Sequence, residues 1–220
     1  MTFASPYPGL QPDLIARHIP FAGNEPVLVL ELCNTTPLWA PMISTLQPEA
    51  RFVIFTRQPE AETSARASAD SIAGKTRFLR ADWYTGSWET RLPPESFHAI
   101  WVPFVTTGAA VAAQERLIGR LASKLRPGGV LLWGAELRAA TPELESDYER
   151  RLHEWRQVHM NMPADHDPAA KGTGEHLAGS EVFRPRWEQL RHWIEQTGLS
   201  NVELLWKQEL AAVVTGMKRV

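Results

Sequence analysis

The chain has 220 residues, of which 44% are hydrophobic and 22% charged, with a net charge of −2 and one cysteine, Cys33. This length supports a single domain with a sizeable core and a modest elaboration, expected to span residues 1–220. Scattered basic residues exclude the charge footprint of a nucleic-acid binder. A lone cysteine excludes a disulfide framework or a multi-cysteine zinc site, and no apolar run reaches the ~18 residues of a membrane span. The segment Met1–Pro6 lacks the basic and apolar regions of a secretory signal, so the expectation is a cytoplasmic protein.

In chain order, Val27–Leu32 is a continuous apolar run, as expected for a parallel strand buried on both faces. Thr36-Pro37 has the cap and first-turn residues of a helix, and Pro41 should weaken that helix by removing a backbone bond. Arg51–Phe55 reads as the second strand, Pro59 to Ile72 as an alanine-rich helix ended by Gly74, and Thr76–Ala81 as the third strand. Phe97–Val105 is the fourth strand, Ala110–Leu125 the next helix, and Arg126-Pro127-Gly128-Gly129 a turn into a fifth strand, Val130–Leu137. The segment 138–185 breaks the alternation. Its helix from Thr141-Pro142 carries Leu144, Tyr148, Leu152, Trp155 and His159 at helical spacing, and Pro163–Gly179 is a polar loop. A helix over Pro185–Thr197 and two short strands, Asn201–Trp206 and Leu210–Thr215, form the end of the chain, the strands joined as a β-hairpin through Lys207-Gln208-Glu209. Together these predict an α/β, Rossmann-like, seven-stranded and mostly parallel sheet. Helices should flank it, with a helical insert before a C-terminal antiparallel hairpin. The expected parts are an N-terminal flap (1–24), a cofactor-type half (25–137), an insert or lid (138–185) and a closing helix and hairpin (186–220).

Several segments in this order resemble the class I S-adenosylmethionine-dependent methyltransferase family over roughly residues 14–217. They are the first strand ending in Glu31, Phe78-Leu79-Arg80-Ala81-Asp82-Trp83, Leu125-Arg126-Pro127-Gly128-Gly129-Val130-Leu131-Leu132, and Gly198-Leu199-Ser200-Asn201-Val202-Glu203-Leu204-Leu205-Trp206-Lys207. The resemblance implies a nucleoside cofactor lying along Glu31, Cys33, Thr35, Thr56, Asp82 and Trp83. It implies that Asp82 reaches the adenine amino group and that Glu31 anchors the methionine amino group. From the residues alone, Glu31 reads equally well as a partner of the following helix N-terminus, and Asp82 as a turn cap.

The departures from the family pattern are specific. Its three loop glycines are here Cys33, Thr35 and Pro37, so side chains stand where a glycine turn lets backbone approach a ligand. The ribose-binding acid at the end of the second strand is Thr56, followed by Arg57, and the acid at the start of the fourth strand is His98. These losses would cost a cofactor in its usual pose roughly 10²- to 10³-fold in affinity.

Nine tryptophans are unusual. Trp39, Trp83 and Trp88 follow the carboxyl ends of the first and third strands, and Trp101 lies in the fourth. Ligands of open α/β sheets bind at that edge, so the indoles either fill the space of a lost cofactor or line a pocket. Packing in the core is the competing reading for Trp101 and Trp133. His153, His159, His166 and His176 lack the spacing of a metal pair on one helix face, so no metal is expected. His159 is the candidate general base, and Trp39, Trp101, Tyr148 and Arg184 are the candidate substrate pocket. Two function classes follow. One is a small-molecule methyltransferase acting with S-adenosylmethionine on an O, N or S acceptor. The other is a degenerate methyltransferase fold, repurposed for another ligand or acting as a partner subunit; a homodimer or a partner protein is open in either case.

Overall fold

A computed structural model describes residues 17–20, 26–33, 39–57, 59–85, 88–104, 106, 109–160 and 183–220, with backbone alone at positions 39, 42, 60, 61, 64, 68 and 156–160. Seven strands form one sheet in the order β3-β2-β1-β4-β5-β7-β6. They are β1 Leu28–Cys33, β2 Arg51–Thr56, β3 Thr76–Arg80, β4 Phe97–Val102, β5 Leu125–Glu136, β6 Leu199–Gln208 and β7 Ala211–Lys218. The helices are α1 Trp39–Leu46, α2 Pro59–Ser68, α3 Val111–Ala122, α4 Pro142–Met160 and α5 Trp187–Gln196, with short 3₁₀ turns at Asp70–Lys75 and Trp88–Arg91. The first five strands run parallel, and β7 lies antiparallel between β5 and β6. This is the expected α/β, Rossmann-like sheet with its terminal hairpin. Among the described residues, no helix is long and apolar enough to cross a membrane.

Strand β1 is buried from Val29 onward, and β4 throughout, because both faces of the sheet are covered. On one face Leu30, Leu32, Phe55, Ile100 and Trp133 pack against Leu117 and Leu121 of α3 and Trp193 and Ile194 of α5. On the other, Val29, Ile54, Trp101 and Leu132 pack against Ala40 and Ile43 of α1 and Ala65 of α2, and Ile19 from the N-terminal segment joins them. The strand order reverses between β1 and β4, where this architecture opens a crevice at its carboxyl edge.

Three local expectations are corrected. Pro41 does not break its helix. The helix starts at Trp39, so Pro41 falls in the first turn, where backbone N–H groups have no intrahelical acceptor to lose. The expected turn before the fifth strand lies inside β5: Phe97 pairs with Leu125 and Ala99 with Val130, so residues 126–129 bulge out of the ladder. Gly128 there has φ +74°, and a Cβ on Gly129 would stand 2.7 Å from the Phe97 carbonyl oxygen, which explains the glycine pair. The hairpin is longer than its sequence suggests. Its turn is Glu209-Leu210 with Glu209 at φ 53°, and the shift of register between Ser200 and Glu203 takes Asn201 into φ 53°.

Candidate functional site

The ends of β1, β2 and β3 are level, since Cys33 pairs with Thr56 and Thr56 with Arg80. Alternation along the strands puts Glu31, Cys33 and Thr56 on one face, and the pairing of Glu31 with Trp101 brings that indole beside the carboxylate. Glu31 is 1% exposed, and one carboxylate oxygen accepts the Ala40 N–H at 2.8 Å in the first turn of α1. A carboxylate at a helix N-terminus meets unpaired N–H donors and the positive end of the helix dipole. The contact with the following helix is therefore present. Cys33 and Trp101 are buried in the adjoining core.

Thr56 is fully buried, and its hydroxyl has no hydrogen-bond partner among the described residues. Most buried polar groups are satisfied, and one left unpaired costs about 1–3 kcal/mol.

Beside it, the loop after β3 is tightly built. Asp82 accepts the Tyr84 N–H at 3.1 Å and the Thr85 hydroxyl at 2.9 Å, so it caps its own turn. Trp83 is fully buried, edge-on to Phe55 at a centroid distance of 5.7 Å. Its carbonyl accepts the Trp88 indole N–H at 3.1 Å and an Arg120 N–H at 3.0 Å. Arg120 also pairs with Glu89 and stacks 4.5 Å over Trp88, while Lys124 donates to the Glu89 carbonyl at 2.8 Å. The hydrogen bond from Arg120 holds the Glu89 carboxyl below its usual range. These contacts from α3 fix the loop, so the position of Trp83 is set by packing.

Arg57, immediately after β2, was passed over in the sequence as a site residue. Its guanidinium lies 5.5 Å from the Trp83 ring centre and 5.2 Å from that of Tyr84, and its Nε is 3.3 Å from Asp82. Burial pushes the Tyr84 hydroxyl up to about 12, so it stays protonated at neutral pH. The signal available in the sequence was a cation directly following the lost ribose acid, with two aromatic residues after the next strand.

The remaining candidates lie elsewhere or outside what is described. Arg184 is buried at the end of β5, donating to Glu136 at 3.0 Å, to Glu145 at 3.2 Å and to Glu149, so its charge is held by three carboxylates. Tyr148 is half-buried on α4 with the Arg151 guanidinium 5.9 Å from its ring centre. His159 falls in the last turn of α4 and Trp39 at the start of α1, but their side chains are outside the described residues, as is Thr35 altogether. His98, in place of an acid, accepts the Leu28 N–H at 3.1 Å through Nδ1, at the amino edge of the sheet. A cleft of about 620 Å³ also lies at that amino edge, lined by Leu28, Arg51, Phe52, Thr76, Arg77 and Phe97, opposite the candidate site.

No protein-family model matches the chain, and no curated protein does. Solved structures do. The chain is similar to an O-methyltransferase family protein from Burkholderia thailandensis, with TM-score 0.66 at 14% identity over 94% of this chain and 55% of that one. It is similar to an O-methyltransferase family 2 protein from Planctomyces limnophilus in complex with apigenin, with TM-score 0.65 at 17% identity over 94% and 57%. It is also similar to human N-acetylserotonin methyltransferase in complex with S-adenosylmethionine, with TM-score 0.61 at 15% identity over 95% and 52%. The chain spans about half the length of these structures. The level carboxyl ends of β1–β3, the reversal of order at β1 and β4, and the antiparallel β5-β7-β6 end are thus those of the class I, Rossmann-like S-adenosylmethionine-dependent methyltransferase fold.

Proposed function

We propose that the chain is a small-molecule methyltransferase that takes S-adenosylmethionine along the carboxyl ends of β1–β3 and methylates an O, N or S acceptor. The observation that carries this reading is the buried, unpartnered hydroxyl of Thr56, in the position where the fold's relatives would be expected to hold a ribose. A ribose hydroxyl there would satisfy it, and Asp82 lies at the end of the neighbouring strand. Bound S-adenosylmethionine supplies an already activated methyl group, so the protein's task is alignment and exclusion of water, which needs few reactive side chains. Glu31 holds the start of α1, and α3 holds the Trp83 loop, on the two sides of such a site. His159 is proposed as the base toward the acceptor. Calorimetric titration of the protein with S-adenosylhomocysteine tests the reading. Binding in the micromolar range supports it, and no heat at millimolar ligand sinks it.

A second reading is favoured by the contact of Arg57 with Asp82 and by the full burial of Trp83. Both occupy groups that a cofactor in the usual pose would use. In this reading the fold serves another ligand, or acts as a partner subunit. Absence of binding to S-adenosylhomocysteine together with a defined oligomer or complex would support it.

A further inference from the structure

The guanidinium of Arg57 is held from three sides. Two aromatic ring centres lie within 5.5 Å of it, and Nε stands 3.3 Å from Asp82 as an ion pair without a hydrogen bond among the described residues. Among the described residues, neither Nη1 nor Nη2 makes a hydrogen bond, and the side chain is 20% exposed. Such an arginine is a preset fork. The two rings hold its guanidinium plane, Asp82 stands beside Nε, and the residue lies at the strand end, the edge where ligands of open α/β sheets sit. A planar fork of this kind matches two oxygens of a phosphate, and bonds to an ionised oxygen are about twice as strong as neutral ones.

The polarity of the edge agrees. The strand end carries Thr56, a neutral hydroxyl, then Arg57, with Arg80 level beside Thr56. A carboxylate in this place accepts hydrogen bonds from a ribose diol and repels a phosphate. An arginine donates, and so tolerates the diol but favours the phosphate; the same exchange separates the two kinds of dinucleotide site in Rossmann folds. We propose that Arg57 is the residue that reads the ribose side of a nucleoside at this edge. With its donors in place of an acid, the site prefers an adenine nucleotide phosphorylated on the ribose to one with a free diol. This rests on the second reading, in which the carboxyl edge of β1–β3 serves a ligand other than S-adenosylmethionine, and goes beyond it in naming the ligand class and the residue that selects it.

The test is calorimetric titration of the full chain with four probes: adenosine, S-adenosylhomocysteine, adenosine 3′,5′-bisphosphate and inorganic phosphate. The bisphosphate should bind about 10- to 100-fold tighter than adenosine, with an advantage that shrinks as salt rises. Arg57→Gln should remove most of that advantage, lowering bisphosphate binding more than adenosine binding. Arg57→Lys should restore only part of it, since a lysine keeps the charge and loses the fork. A bisphosphate bound no tighter than adenosine overturns the inference, as does an advantage that survives in Arg57→Gln. Inorganic phosphate bound as tightly as the bisphosphate also overturns it, since the edge would then hold a free anion. If S-adenosylhomocysteine binds with no preference for ribose phosphate, the inference falls while the methyltransferase reading stands. If none of the nucleosides or nucleotides binds, both fall. The wild-type series decides these points even if the Arg57 variants fold poorly.

Discussion

Trp83 gives the sharpest prediction about how this edge is built. Its side chain is fully buried, meets Phe55 at 5.7 Å with an interplanar angle of 89°, and lies under the Arg57 guanidinium. Its backbone is pinned separately by Trp88 and Arg120, so the loop cannot collapse to refill the space left by a smaller side chain. Trp83→Ala should therefore cost the full value for a buried aromatic, about 3–5 kcal/mol. For a chain of this length each kcal/mol lowers Tm by about 2–4 °C, so the expected fall is about 6–20 °C. Thermal unfolding followed by circular dichroism at two wavelengths measures it and checks that the transition is cooperative. Trp83→Phe retains the edge contact with Phe55 and should lose clearly less. A fall of under about 3 °C in Trp83→Ala would show that the indole is not part of the core and would refute the argument that packing, not a ligand, sets its position.

Other expectations follow from the same contacts. Arg184→Met should destabilise by on the order of 3 kcal/mol, because it leaves Glu136 buried without its partner; the loss sits at the low end for buried pairs because Glu149 is half exposed, and urea unfolding reads it. Gly129→Ala should cost about 1–3 kcal/mol, since the new Cβ would stand 2.7 Å and 2.9 Å from the carbonyl oxygens of Phe97 and Arg126; a melt within 1 °C or so of the parent would refute the close approach. Glu89 is held below its usual range by Arg120, so the stability this pair contributes is present above the ordinary carboxylate value and is lost as pH falls through the lowered one. Glu89→Gln should accordingly flatten the acid limb of a stability-against-pH curve, and only slightly, because the carboxylate is 32% exposed and screened by solvent.

Much of the architecture is legible in the residues because parallel strands buried on both faces must be continuous apolar runs. Val27–Leu32 and Arg51–Phe55 announce themselves in this way, and their alternation with helices leaves few topologies. Pro41 and the Arg126–Gly129 bulge were misplaced for a common reason. A proline harms a helix only beyond its first turn, and a bulge is defined by its partner strand, which no local pattern contains.

For the site, the sequence by itself determined which chemistry stands at each position. There is no glycine after β1, a threonine and an arginine stand where an acid is expected, and an aspartate and two aromatics follow β3. Only the tertiary structure decided which of these groups are already committed. Glu31 takes the α1 amide, Asp82 its own turn and the Nε of Arg57, Trp83 the core, and Arg184 three glutamates. The hydroxyl of Thr56 has no hydrogen-bond partner among the described residues, and Arg57, though paired in charge with Asp82, makes no hydrogen bond at Nε. The physical reason is that hydrogen bonds and ion pairs between strands join residues far apart in the chain, so whether a polar group is satisfied depends on distance in space, which composition and spacing do not encode.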